Sequence, residues 1–364
     1  MRNALGVHLV HLRLRDFRNY ARLDADFAPG FHVLLGDNAQ GKTNILEAIY
    51  LIATLRSFRG VGGAQIIQHG HKGYFIGANV VSHSQREIKM YWSPQERKLT
   101  LDGRPVRKLG EYLGTLRAVV FCTEDLQLVK GTGRLRRRFM DLLLTQAHPV
   151  YLALLQRYAA ALRSRNALLK QHAPDEAALE SFTRQLIEAG LQLIQFRKEL
   201  LPQIAPLAQA SYARVSRDAE SFELEYQPSV RQDFSLELAR NRGREKVFRS
   251  TIIGPHRDEL LLRLDGKSAA KFASEGQKRS IAIALKMTQA EYLSTAHGAP
   301  PVLLIDDIMG ELDAKRRTAF LPLLQQAQTG RSQVFMTCTE ENWPRELGRE
   351  LHRWEVKSGA IKRL

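Results

Sequence analysis

An α/β fold, with a mixed sheet, an antiparallel β layer and an inserted all-helical segment, is what this 364-residue sequence predicts. Three observations predict it. An apolar run at residues 31–35 leads into Gly36-Asp37-Asn38-Ala39-Gln40-Gly41-Lys42-Thr43-Asn44, and a periodic stretch at 45–52 follows. Strand, glycine-rich turn, helix is the order of a phosphate-binding unit. A second apolar run, Val302-Leu303-Leu304-Ile305, ends in Asp306 and Asp307. Between the two, from Arg134 to about residue 217, helix formers dominate and proline is confined to a few points.

The elements follow in order. Residues 7–15 alternate apolar and polar, the pattern of a half-exposed strand. Residues 73–101 hold short alternating runs with turns at Ser93-Pro94-Gln95-Glu96 and Leu101-Asp102-Gly103-Arg104, which reads as an antiparallel layer. Residues 116–122 read as a buried strand. Helical periodicity covers 151–170. Pro174 with Asp175 as cap starts a helix over 176–200, and Pro202 and Pro206 mark its break. Strands return at 221–226 and 260–264. The expected division is a head made of 1–130 and 219–364, with a helical arm at 131–218.

Chemistry enters at 36–44. Gly36 and Gly41 let the backbone turn its N–H groups inward, Asn38 and Asn44 flank the turn, and the helix start adds partial positive charge. Lys42 reaches outer phosphates and the Thr43 hydroxyl suits Mg²⁺. The expected ligand is a nucleoside triphosphate. Asp306 is assigned to Mg²⁺ and Asp307 to orienting or activating water. In Phe272-Ala273-Ser274-Glu275-Gly276-Gln277, Ser274 stands where a helix cap belongs.

Lys and Arg total 54 against 38 Asp and Glu, a formal net charge of +16, which points to a polyanionic partner, most simply nucleic acid. Arg134, Arg136, Arg137 and Arg138 are the densest basic cluster; Arg163, Arg165 and Lys170 follow, then Arg240, Arg242, Arg244 and Lys246. Such groups imply salt-dependent contacts to phosphate without sequence reading. No aromatic residue is read as interleaved with them. Cys122 and Cys338 are too few and too far apart for a disulfide framework or zinc site, so buried thiols are expected. No run approaches the roughly 18 apolar residues of a membrane helix, and a cytosolic location is expected.

The spacing of Ser274 and the 302–307 strand is similar to that of the signature loop and acidic strand of ABC-type ATPases. The whole chain resembles one family more closely, the RecF family with its SMC-like ATPase head. The resemblance rests on Leu14-Arg15-Asp16-Phe17-Arg18-Asn19-Tyr20, the 36–44 loop, Leu46-Glu47-Ala48-Ile49-Tyr50, Arg56-Ser57-Phe58-Arg59, and Val120-Phe121-Cys122-Thr123-Glu124-Asp125-Leu126. It continues through Arg137-Arg138-Phe139-Met140-Asp141, Gly254-Pro255-His256-Arg257-Asp258, Ser274-Glu275-Gly276-Gln277 and Glu311-Leu312-Asp313. The departures are Gly310 where the family has Ser, Cys122-Thr123 before Glu124, and Cys338 inside the last strand.

The resemblance implies an ABC/SMC-like ATPase head that binds ATP and Mg²⁺ and forms an ATP-dependent homodimer. It implies a grip on DNA, single- and double-stranded, released by slow DNA-stimulated hydrolysis. Action with RecR and RecO to help load RecA at gap junctions is also implied. It places Ser274, Gly276 and Gln277 on the ATP of a second copy, Arg59 near ATP or DNA, and Thr337, with Thr339, as γ-phosphate sensors. Other readings are a transporter-type ATPase subunit, a chromosome-maintenance ATPase, or an ATP-binding scaffold without turnover.

Overall fold

The computed structural model of the protein describes residues 6–82, 84–216, 220–328, 332–339 and 351–364. It divides into two compact units. The first is Met1–Leu126, Ala210–Ala219 and Arg279–Leu364; the second is Gln127–Gln209 and Glu220–Lys278.

The first unit holds two six-stranded sheets. One is antiparallel, built from β1 (His8–Phe17), β2 (Tyr20–Asp26), β4 (Tyr74–Val81), β5 (Gln85–Trp92), β6 (Arg97–Leu101) and β7 (Arg104–Pro105) in the order β2-β1-β4-β5-β6-β7. Its strands alternate as expected: Leu12 and Leu14 are fully buried while Arg13 between them is exposed. The Asp102-Gly103 turn has both residues at positive φ, 51° and 76°, the two-residue hairpin geometry that those residues favour.

The other sheet orders β15 (Ala360–Arg363), β14 (Leu351–Lys357), β3 (Gly30–Leu35), β13 (Gln333–Cys338), β12 (Val302–Asp306) and β8 (Ala118–Phe121) as β15-β14-β3-β13-β12-β8. From β14 to β8 the pairing is parallel. Every residue of β8 and β13 is buried, so neither strand alternates, β8 being wholly apolar and β13 apolar but for Gln333 and Thr337, as suits parallel strands covered on both faces. Helices α1 (Lys42–Thr54) and α10 (Ala314–Gln328) pack on this sheet. The carboxyl ends of β3, β12 and β13 therefore converge where α1 begins. Short α2 (Leu109–Tyr112) precedes β8. Cys122 and Cys338 are buried free thiols, as expected. The Cys122-Thr123 departure leaves a closed turn, in which Asp125 Oδ2 accepts from the Cys122 N–H at 2.9 Å.

The second unit holds α3 (Gln127–Lys130), α4 (Gly133–Ala147), α5 (Pro149–Leu169), most of α6 (Glu176–Val215), α7 (Phe234–Phe248), α8 (Ala269–Phe272) and the start of α9 (Glu275–His297). Its antiparallel sheet orders β11 (Lys267–Ser268), β10 (Glu259–Leu264) and β9 (Phe222–Gln227). This contact division differs from the head and arm boundaries read from sequence. Residues 220–278 group with the helices, because α4 packs on β10; the expected 218/219 boundary falls on residues outside the described ones.

Asp175 caps α6 as expected, accepting from the N–H of Ala177 at 2.9 Å and Ala178 at 3.1 Å. The break at Pro202 and Pro206 does not occur: α6 continues through both for 40 residues. The prolines are four apart and exposed, while Leu200, Ile204 and Ala208 are buried. Each ring thus faces outward, and the carbonyl it deprives of an amide partner is in reach of water. Among the described residues no helix is long and apolar enough to cross a membrane.

Candidate phosphate-binding site

The 36–44 loop joins β3 to α1, and its glycines are required by close approach. Gly36 has φ 152°, and a Cβ there would collide with the Val356 carbonyl. Gly41 has φ 115°, and a Cβ there would stand 2.6 Å from the Asn19 side chain and 2.8 Å from the Tyr20 hydroxyl. Gly41 is also the N-cap of α1, with no side-chain cap and no acidic residue in the first turn. The free N–H groups and positive end of the helix dipole are thus left for an anion from outside the chain.

Lys42 is only 6% exposed. Its ammonium donates to the Gly36 carbonyl and, at 2.9 Å, to the Asp37 carbonyl. Burial pushes its pKa down, partly offset by the fields of Asp307, Cys338, Asp306 and Asp37. Thr43 Oγ1 donates to Asp306 Oδ1 at 2.7 Å, tying the start of α1 to the end of β12. Burial pushes the Asp306 carboxyl up, opposed by its hydrogen bonds to Thr43 and Thr337. The buried Thr337 hydroxyl donates to Asp306 Oδ1 and accepts from the Asp307 N–H, both at 3.0 Å. Thr337 is thus the joint that holds both carboxylate residues. Asp307 itself is exposed, with φ 52°. Thr339 is exposed beyond the strand, and Asn38 is exposed on the loop.

The structure adds residues that motif reading did not assign. Glu47 on α1 is wholly buried and accepts from Arg18 Nε at 2.9 Å, Arg18 Nη2 at 2.8 Å and Ser57 Oγ at 2.5 Å. Arg59 lies 3.6 Å from the same carboxylate and donates to Asn44 Oδ1 at 3.0 Å. Arg59 is therefore held beside the loop helix by Glu47 and Asn44. Asn44 donates to Asn19, which donates to the Gln40 carbonyl, both at 2.8 Å. Ser358 and Gly359 in the β14–β15 turn donate backbone N–H groups to Gln40 at 2.7 and 3.2 Å. Arg18, Asn19, Glu47 and Ser57 had a signal in the sequence, their place in the segments at 14–20, 46–50 and 56–59 on which the resemblance rests; Ser358 and Gly359 had none.

In the second unit, Ser274 and Gln277 form the reciprocal cap of α9. Gln277 N donates to Ser274 Oγ at 3.2 Å, and Ser274 N donates to Gln277 Oε1 at 2.5 Å. Ser274 is exposed two residues after Phe272, which is 70% exposed, while Gly276 lies in the helix's first turn. Gly310 has open space where a Cβ would stand, so a serine would fit there.

The basic cluster on α4 divides. Arg134 and Arg138 are exposed. Arg136 pairs with Glu259 at 2.8 Å and donates to the Gly131 carbonyl, with its side chain 13% exposed. Arg137 donates to the Asp258 carbonyl at 2.6 Å. Both guanidinium groups have partners inside the unit. Arg165 is wholly buried against Glu245 at 2.6 Å, so it does not belong to a basic surface. Arg242 and Lys246 share Glu176. Phe248, two residues past Lys246, is 61% exposed; an aromatic does accompany this group. The 254–258 segment is a structural knot. Asp258, fully buried, accepts from Arg197 at 2.7 Å and from Tyr226, and Tyr158 meets His256 at 2.6 Å.

The sequence profile of the RecF/RecN/SMC N-terminal domain matches residues 8–360. A Symbiobacterium thermophilum protein named DNA replication and repair protein RecF is 38% identical over 371 residues, 98% of each chain. A Thermosynechococcus vestitus protein of that name is 38% identical over 346 residues, 91% of this chain and 90% of its own. A solved structure of the recombination mediator protein RecF with ATP, of the RecFOR pathway, superposes with a TM-score of 0.91 at 26% identity, covering 100% of this chain and 99% of the other. The Smc head domain of Pyrococcus furiosus, bound to the C-terminal domain of ScpA, shares the fold with a TM-score of 0.58 at 16% identity, over 98% and 96% of the chains.

Proposed function

We propose, from the premise that this chain belongs to the RecF family of SMC-type ATPases of DNA replication and repair, that it is an ATP-gated DNA clamp. The observation that carries this reading is the Thr43–Asp306 hydrogen bond beside buried Lys42. An uncapped helix start, a buried ammonium and a paired hydroxyl and carboxylate fit a triphosphate with its Mg²⁺. Thr43 and Asp306 would hold the cation, with phosphate oxygens and water completing its shell. The cation would neutralise charge on the phosphates; the protein's part is to position them and to orient water from Asp307.

Ser274 on one copy would contact ATP held by the other's loop, making ATP the adhesive of a dimer. The exposed Phe272, two residues before Ser274, supports a protein-covered surface there. Asp307 has a shorter reach than Glu, which favours slow hydrolysis and switch-like release. Exposed Arg134 and the cations of α7 would grip phosphates without reading sequence. Function with RecO and RecR at gapped DNA, in support of RecA loading, completes the reading, with 1–130 and 219–364 as head and 131–218 as arm.

The test is molar mass by light scattering with and without ATP-Mg²⁺, on wild type and Ser274→Arg, alongside a DNA titration. ATP should double the mass of wild type only and tighten its DNA binding. Mass and DNA affinity that ignore ATP would remove the clamp reading.

A further inference from the structure

Helix α7 combines charge with exposed apolar side chains. Arg240, Arg244 and, just past its end, Arg249 are exposed, as is Arg257. Arg240, Arg249 and Arg257 are in no ion pair among the described residues; Arg242 and Lys246 share one carboxylate, Glu176. The acidic residues of α7 do not cancel this charge. Glu245 is wholly buried on Arg165, and Glu237 accepts from the backbone N–H groups of Arg231 and Gln232. Set in this field, Phe248 is 61% and Val247 80% exposed, an unusual display for large apolar residues beside arginines.

The two features meet in one pocket of about 450 Å³, within the roughly 300–1,000 Å³ of small-ligand clefts. Phe248, Ile252 and Ile253 give it apolar walls, Arg244 and Arg257 give it cationic edges, and Asn241 adds an amide. Its base is rigid. Arg165 bonds Glu245 at 2.6 Å and Thr251 Oγ1 at 2.7 Å, one on each side of the Phe248 turn. Arg249, at φ 51°, caps α7 in the left-handed conformation with its N–H on the Glu245 carbonyl, and so aims the turn outward.

We propose that this pocket takes one unpaired nucleotide of DNA: the base against Phe248, the flanking phosphates on Arg244 and Arg257. An aromatic face within a cationic groove is how proteins hold single strands without sequence preference. A duplex keeps its bases stacked and offers only phosphates, so Phe248 would separate unpaired from paired DNA. The inference rests on the DNA-binding reading above and names what one part of that surface recognises. An acidic protein segment is the competing occupant; the apolar walls would suit either, but arginine edges that no carboxylate neutralises among the described residues, Arg244 meeting only Asn241 Oδ1 at 3.4 Å, favour a chain of phosphates.

Three DNAs decide it, tested on the full chain: a duplex, the same duplex with a short single-stranded gap, and the gapped form carrying 2-aminopurine in the gap. Wild type should prefer gapped DNA and change the 2-aminopurine fluorescence. Phe248→Ala should lose that preference, roughly 5- to 100-fold, and the fluorescence change, with duplex affinity and melting temperature unaltered; Phe248→Trp should keep both. If wild type binds DNA but Phe248→Ala leaves preference and fluorescence intact, the pocket assignment fails and the DNA reading survives. If wild type binds none of the DNAs, both fail. If Phe248→Ala spares gapped DNA but abolishes binding of an Asp-rich peptide ending in Phe, the occupant is a protein segment and the proposal is overturned.

Discussion

Lys42 in the first unit and Arg165 in the second are both buried cations, 6% and 0% exposed, yet their surroundings differ in kind. Arg165 has a carboxylate at 2.6 Å and two hydroxyls on its other nitrogens. Arg197 is likewise held by Asp141 and Asp258. Lys42 has carbonyls and, among the described residues, no carboxylate in ion-pair reach. A buried charge matched within the chain fixes the fold; a buried charge left to carbonyl dipoles is a place for a ligand's charge.

The contrast predicts opposite outcomes for the same change. Arg165→Met should lower unfolding stability by about 3–5 kcal/mol, because Glu245 stays buried without its partner. Lys42→Met should leave stability within about 1 kcal/mol of wild type and weaken ATP binding by about 2–5 kcal/mol. Urea unfolding and titration with a fluorescent ATP analogue measure the two. An Arg165→Met protein as stable as wild type would erase the distinction.

A smaller effect sharpens it with a base for which burial outweighs the field of a nearby carboxylate, Asp258. Burial pushes His256 down to about 4, against the carbonyl of Thr251, which raises it. Its folded pKa lies below its unfolded one, so the unfolded chain binds the proton first. Stability is complete above about pH 6.5 and is lost as pH falls toward 4, by about 3 kcal/mol. His256→Gln should flatten that part of a stability profile between pH 7 and 4.

The smallest effect tests the joint between carboxylates. Thr337→Val removes two hydrogen bonds of 3.0 Å and should cost about 1–1.5 kcal/mol of Mg²⁺-dependent ATP affinity, with Thr337→Ser restoring it. An unchanged Mg²⁺ titration would return Thr337 to a packing role.

What could be read from sequence was what local chemistry dictates. Period-two strands, the loop between β3 and α1, the acidic end of β12 and the Ser274–Gln277 cap are all set by residues within a few positions of each other. The partners of charged side chains were not readable. Arg136 finds Glu259 at a separation of 123 residues, and Arg165 finds Glu245 at 80, so two arginines of apparent basic clusters are internal. Pro202 and Pro206 misled for a related reason. Their effect depends on which face of α6 meets water, and that face is chosen by packing. Phe248 could not be called exposed until α7 had committed Glu245 to the interior.

The clasp of Gln40 by Ser358 and Gly359, 318 residues later in the chain, has a consequence for synthesis. The ribosome makes the phosphate loop more than 300 residues before the turn that braces Gln40 and the carbonyl of Val356 that crowds Gly36. β3 itself waits for β13 and β14, both far downstream. A nascent chain therefore carries the nucleotide motif long before it owns the nucleotide site. On the proposed function, ATP capture would report that translation has run through the β14–β15 hairpin, because a chain stalled short of it has the motif without the turn that braces it.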